Sequence, residues 1–127
     1  MAETIRVYYN KLVRDNMPDL IKAKGEECDA VPVVDQQEFL QELFKKVKEE
    51  AGSLAKPKDR EDFLQSYADL MVVLETLIKE MNITNEELER ARQSNNQKKG
   101  GYEQRLFLRW SEDTKYTSTD TPQSIHN

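Results

Sequence analysis

An all-α architecture follows from two long stretches with helical periodicity and the short break between them. In the first, Leu40, Leu43, Phe44, Val47, Ala51 and Leu54 recur at steps of three and four residues, which aligns them along one face of a helix. In the second, Phe63, Tyr67, Leu70, Leu74, Leu77, Ile78 and Met81 do the same. Lys56-Pro57-Lys58 separates them, and a break this brief joins antiparallel neighbours. Hydrophobic residues make up 37% of the 127 and charged residues 34%. That is poor core material for a free-standing monomer. The expected fold is therefore an antiparallel helical hairpin that forms a four-helix core with a second protomer, plus short flanking helices and a peripheral extended segment.

Each element has its own warrant. Thr4 to Tyr9 reads as a short strand or an extended arm, and Asn10 to Asp15 as a mixed polar segment. Asn16 can cap a short helix that has Pro18 in its first turn, continues through Leu20, Ile21 and Ala23, and stops at Gly25. Ala30-Val31-Pro32-Val33-Val34 is extended, an edge strand at most, because Pro32 has no donor for a sheet ladder. Asp35 opens the first long helix, with Glu38 three residues on in a capping-box pattern. Asp59 caps the second. Thr84 with Glu87 repeats the capping box and starts a polar helix through Leu88 and Ala91 to about Gln97. Gly100-Gly101 suits a helix C-cap and turn. Tyr102 to Trp110 alternates like a strand. Ser111 to Asn127 is rich in Ser, Thr, Asp and Asn without a periodic apolar face, so a disordered tail is expected after a helical domain spanning 1–110.

The bulk numbers restrict the function. Nineteen basic against twenty-four acidic residues leave a net charge of −5, which disfavours nucleic acid as a partner, because phosphate neutralisation needs clustered cations. Small phosphorylated ligands stay open. Cys28 is the only cysteine, and His126, beside the C-terminal residue, the only histidine. A disulfide framework and histidine-based catalysis are both set aside. No run approaches a membrane span, and the first residues lack the basic and apolar regions of a secretory signal. The expectation is a cytoplasmic protein with no membrane partner.

Asp69 is the most informative single residue. It sits within Tyr67-Ala68-Asp69-Leu70-Met71-Val72-Val73-Leu74, the most apolar stretch of the chain. Burying a carboxylate costs several kcal/mol unless a cation, a metal or hydrogen bonds meet it. The plainer alternative is that Asp69 lies at the edge of the stripe and pairs with a Lys or Arg. Upstream, Glu49 and Glu50 offer acids on the other long helix. Only one of these neighbours can point well inward, since they lie about 100° apart on a helix; closeness to Val47, Ala51 and Leu54 favours Glu50.

Four segments taken together resemble a known family. They are Tyr9-Asn10-Lys11-Leu12-Val13-Arg14-Asp15-Asn16-Met17-Pro18-Asp19-Leu20-Ile21, Lys48-Glu49-Glu50-Ala51, Tyr67-Ala68-Asp69-Leu70, and Lys99-Gly100-Gly101-Tyr102-Glu103-Gln104-Arg105. The resemblance is to the phosphoribosyl-ATP pyrophosphohydrolase-like branch of the MazG-like, all-α NTP pyrophosphohydrolases. It runs from Tyr8 to Trp110, and the opening segment is its most specific part. The resemblance implies acids spaced Glu-Glu-x-x-Glu on one helix and Glu-x-x-Asp on the next, holding Mg²⁺ or Mn²⁺ between them. Such spacings put acids on one helical face. The ions would hold a nucleotide's phosphates and activate water for attack beside the α-phosphorus, releasing pyrophosphate.

Carried over position by position, the pattern matches Glu49, Glu50 and Asp69, the residues with an implied catalytic role. Ser53 falls where the third Glu of the first motif belongs, and Ser66 where the Glu of the second belongs. Each swap removes a charge and a metal bond. Glu75 is a further acid, so Glu50, Asp69, Glu49 and Glu75 form the expected metal set. Lys11, Arg14, Lys98, Lys99 and Arg105 are the expected phosphate contacts; Lys11 and Arg14 also suit pairing with Asp15 and Asp19. Tyr67 and Trp110 suit a core or interface. Two functions compete: a nucleotide pyrophosphohydrolase with a rebuilt site, or a catalytically degenerate protein that binds or sequesters its nucleotide. Either has a nucleotide or nucleotide-like small molecule as partner and works as a homodimer or homotetramer.

Overall fold

A computed structural model describes residues 5–112. Among these it has four helices and no strand: α1 (Met17–Ala23), α2 (Gln36–Leu54), α3 (Arg60–Glu80) and α4 (Asn85–Lys99). The described residues form an all-helical structure, as the periodicity indicates. The chain divides into two units, with the boundary between Leu88 and Glu89. The tail from residue 113 onward and the first residue of the expected N-terminal arm, Thr4, lie outside the described residues.

The helix starts follow the local chemistry. Asp35 accepts a hydrogen bond from the Glu38 amide at 3.0 Å, and Asp59 accepts one from the Asp62 amide at 2.8 Å. Each satisfies one of the donors a helix leaves open at its first turn. Thr84 and Glu87 close a reciprocal box, with both amide-to-side-chain distances at 3.1 Å. Asn16 departs from expectation: it is itself helical in backbone (φ −86°, ψ −6°) and its side chain caps nothing. The first turn of α1 instead relies on backbone bonds, Met17 N–H to Arg14 O (2.9 Å) and Leu20 N–H to Asn16 O (3.1 Å). Gly25 (φ 81°) and Gly100 (φ 74°) take the left-handed conformation just past α1 and α4, where an L side chain would be strained.

The segments with strand-like patterns do not pair. Residues 5–9, 30–34 and 102–110 contain no strand. Alternation supplies side-chain order, but a strand also needs a neighbouring edge for its N–H and C=O groups. Near the start of 102–110 the backbone turns back on itself, the Arg105 N–H donating to Tyr102 O at 3.0 Å with Arg105 at φ 55°.

In the first unit α2 packs on α3. The core is small: Leu43, Val73 and Leu77 are buried, with Leu12, Phe39, Leu40 and Val47 packed against them. Gln36 Nε2 reaches Glu80 O at 3.4 Å, which places the first turn of α2 beside the last turn of α3. With Leu43 and Val73 marking the shared face, a helical step of about 100° per residue sorts other positions onto two flanks. One flank carries Lys46, Glu49 and Glu50 from α2 and Asp69 from α3. The opposite flank is apolar, with Phe44 from α2 and Phe63, Tyr67 and Leu74 from α3. There Phe44 is 51%, Phe63 43% and Tyr67 50% exposed.

Candidate functional site

The polar flank becomes a site because the chain before α1 lies along it. Leu12 is partly buried against the α2–α3 core, and this anchor holds Lys11 and Arg14 on either side of it. Asn10, in the left-handed region (φ 48°), bends the chain just ahead of Lys11. Together with α2 and α3 the segment encloses an open cleft of about 290 Å³, lined by Lys11, Arg14, Lys46, Glu50, Asp69 and the apolar side chains Leu12, Val13, Met17 and Val73.

Six charges meet here. Lys11 Nζ lies 2.7 Å from Glu49 Oε1, and Arg14 lies 3.6 Å from Asp69 Oδ1. Lys46 Nζ bridges two acids of its own helix, 3.1 Å from Glu49 Oε2 and 3.2 Å from Glu50 Oε1. Lys11 also stands 5.7 Å from the centre of the Tyr9 ring, within cation–π range. The hydrogen bond from Lys11 holds the Glu49 carboxyl below its usual pKa; Lys46 pulls the same way and partial burial opposes both. The same bond raises Lys11 above its ordinary value.

These pairs differ in shelter. The side chains of Lys11 and Glu49 are 41% and 39% exposed, and those of Arg14 and Asp69 59% and 52%. Ion pairs this wet contribute about 0–1 kcal/mol, so an incoming anion can displace either acid at small cost. Lys46 and Glu50 are 17% and 16% exposed, the sheltered centre of the cluster.

The structure thus joins Lys11, Arg14, Glu49, Glu50 and Asp69 in one place. Asp69 takes the plainer role, half-exposed at the edge of its stripe and paired with Arg14 rather than buried. Glu75 is exposed and does not line the cleft; it lies about 120° round α3 from Asp69. Lys98, Lys99 and Arg105 belong to the second unit, where all three are exposed. Lys46 joins the cleft cluster without being among the expected contacts; its position three and four residues before Glu49 and Glu50 is the sequence signal for it, the spacing of a helical ion pair.

The divalent-ion site that the resemblance implies does not fit the side chains present. Mg²⁺ requires close, near-octahedral oxygen ligands. Among the described residues no three His, Cys, Asp or Glu side chains gather closely enough to hold an ion. Ser53 is exposed, and Ser66 is buried at 6% exposure on the α2-facing side of α3, a neutral hydroxyl in the place of an acid. Each remaining acid of the cluster already faces a cation. No family model, curated protein or solved structure matches this chain.

Proposed function

We propose that this chain is a nucleotide-binding protein of the MazG-like all-α type, which captures the phosphates of its ligand without hydrolysing them. Lys11 and Arg14 are the phosphate contacts. The observation that carries this reading is their convergence on one cleft, each paired with a partly exposed carboxylate. A ligand phosphate competes with Glu49 and Asp69 for them, and displacing two such pairs costs less than about 2 kcal/mol in all. Charge-assisted bonds to phosphate exceed that cost. The cleft, about 290 Å³, is at the small end of ligand pockets, roughly 300–1,000 Å³. It suits the phosphorylated end of a nucleotide, with the apolar Leu12, Val13, Met17 and Val73 beneath.

The hydrolase reading stays in competition because Glu50 and Asp69, on different helices, line the same cleft. The two differ in their need for metal. Calorimetry over a nucleotide panel, with Mg²⁺ and with EDTA, separates them. Capture predicts micromolar binding that survives EDTA, falls about tenfold in Lys11→Ala or Arg14→Ala, and releases no pyrophosphate. Binding that vanishes on chelation, with pyrophosphate released in Mg²⁺, favours the hydrolase; Ser53→Glu with Ser66→Glu should then raise turnover. If no nucleotide binds or stabilises the folded protein, both readings fail.

The same proposal gives α2 and α3 their quaternary role, an antiparallel hairpin pairing with a second copy into a four-helix core. Supporting it are the small core, in which Leu43, Val73 and Leu77 are the buried apolar side chains among the described residues, and the half-exposed aromatic flank opposite the cleft. That flank and the cleft lie on different sides of the pair, so association leaves the phosphate contacts accessible.

A further inference from the structure

We propose that Lys46 is a built-in cation, its ammonium taking the place between the acids of α2 that a divalent ion would otherwise fill. Glu49 and Glu50 are adjacent like charges, and something positive must bring both carboxylates toward one point. Lys46 Nζ does so, at 3.1 and 3.2 Å. A lysine three or four residues from a glutamate is ordinarily a wet surface pair of little consequence. This one differs in two respects. Lys46 and Glu50 are both more than four-fifths sheltered, against roughly half for the other pairs across the cleft. Both also line the cleft that Asp69 faces from α3.

The donor count supports the same role. An ammonium has three N–H donors and no acceptor; one is donated to Glu49 Oε2, and Glu50 Oε1, 3.2 Å away, is held by charge. Glu49 spends its other oxygen on Lys11. The acids are thereby satisfied internally, and a divalent ion must evict Lys46 to reach them. Eviction would leave a cation beside the incoming ion, so the two exclude each other by charge as well as by space. On this account the site keeps its negative groups assembled without metal. The inference is independent of nucleotide capture, since it concerns only which cation the acids hold.

The experiment titrates Mn²⁺ alone into the 127-residue protein, following free Mn²⁺ by electron paramagnetic resonance, with circular dichroism confirming the fold. Wild type should show no site tighter than millimolar. Lys46→Met should bind Mn²⁺ at least about tenfold more tightly, a gain of about 1.4 kcal/mol, and adding Glu50→Gln should reverse the gain. Lys46→Arg, which keeps the charge, should behave as wild type. A micromolar Mn²⁺ site in the wild type overturns the proposal whatever the variants do. So does a folded Lys46→Met with unchanged affinity, or a gain that survives loss of Glu50. Lost nucleotide binding with these Mn²⁺ results intact removes the capture reading alone.

Discussion

Phe44→Ala tests whether the apolar flank is an interface. Phe44 is 51% exposed in the protomer, so about half its surface remains to be buried. Full burial of a Phe side chain stabilises by roughly 1.5–3 kcal/mol, so the remaining half contributes about 1 kcal/mol. In a two-fold dimer both copies lose it, giving about 2 kcal/mol at the interface. At 1.4 kcal/mol per decade, that weakens dimerisation roughly 30-fold. Sedimentation velocity over a concentration series reads the shift directly, and helical content should be unchanged because the residue lies outside the protomer core. A wild-type chain that stays monomeric at micromolar concentration would refute the reasoning. So would a Phe44→Ala variant that dimerises as tightly as wild type.

Two further outcomes bear on the first unit. Leu43→Ala empties a buried position of the Leu43–Val73–Leu77 cluster and should cost about 2–5 kcal/mol, read by urea denaturation at a fixed protein concentration; a loss below about 1 kcal/mol would show that α2 and α3 are not held by this cluster. The Lys11–Glu49 pair should show in the pH dependence of stability. Glu49 is depressed in the folded state, so its contribution is present above the ordinary carboxylate value of 4.5 and disappears as pH falls through the lower folded value. Lys11 is raised, so its contribution is complete below 10.5 and disappears as pH climbs through the higher folded value. The stability difference between wild type and Glu49→Gln should form a plateau under about 1 kcal/mol that closes at both limits; a difference independent of pH would show that charge plays no part.

Much of the architecture was legible from local patterns. Asp35, Asp59 and the Thr84–Glu87 box act within one turn of chain, and each appears where its spacing puts it. The helical stripes follow from the same short-range geometry. Where the pattern misled, the missing term was a partner. Residues 102–110 alternate, yet no strand forms among the described residues, and Asn16 is a good capping residue whose role the backbone took instead. Asp69 shows the limit most clearly: its apolar neighbours suggest burial, yet it stays half-exposed at the edge of its stripe and meets Arg14 from the segment before α1.

What one-dimensional order settles here is the helices, their ends and which side of each is apolar, because those depend on residues a turn or less apart. Which charges meet across separate elements is a matter of packing. Leu12 docking on the core carries Lys11 to Glu49, thirty-eight positions away, and Arg14 to Asp69, while the α2–α3 contact brings Asp69 to the cleft that Lys46 and Glu50 line. Charge compensation, and with it the choice between an internal ammonium and a divalent ion, exists only once those elements touch.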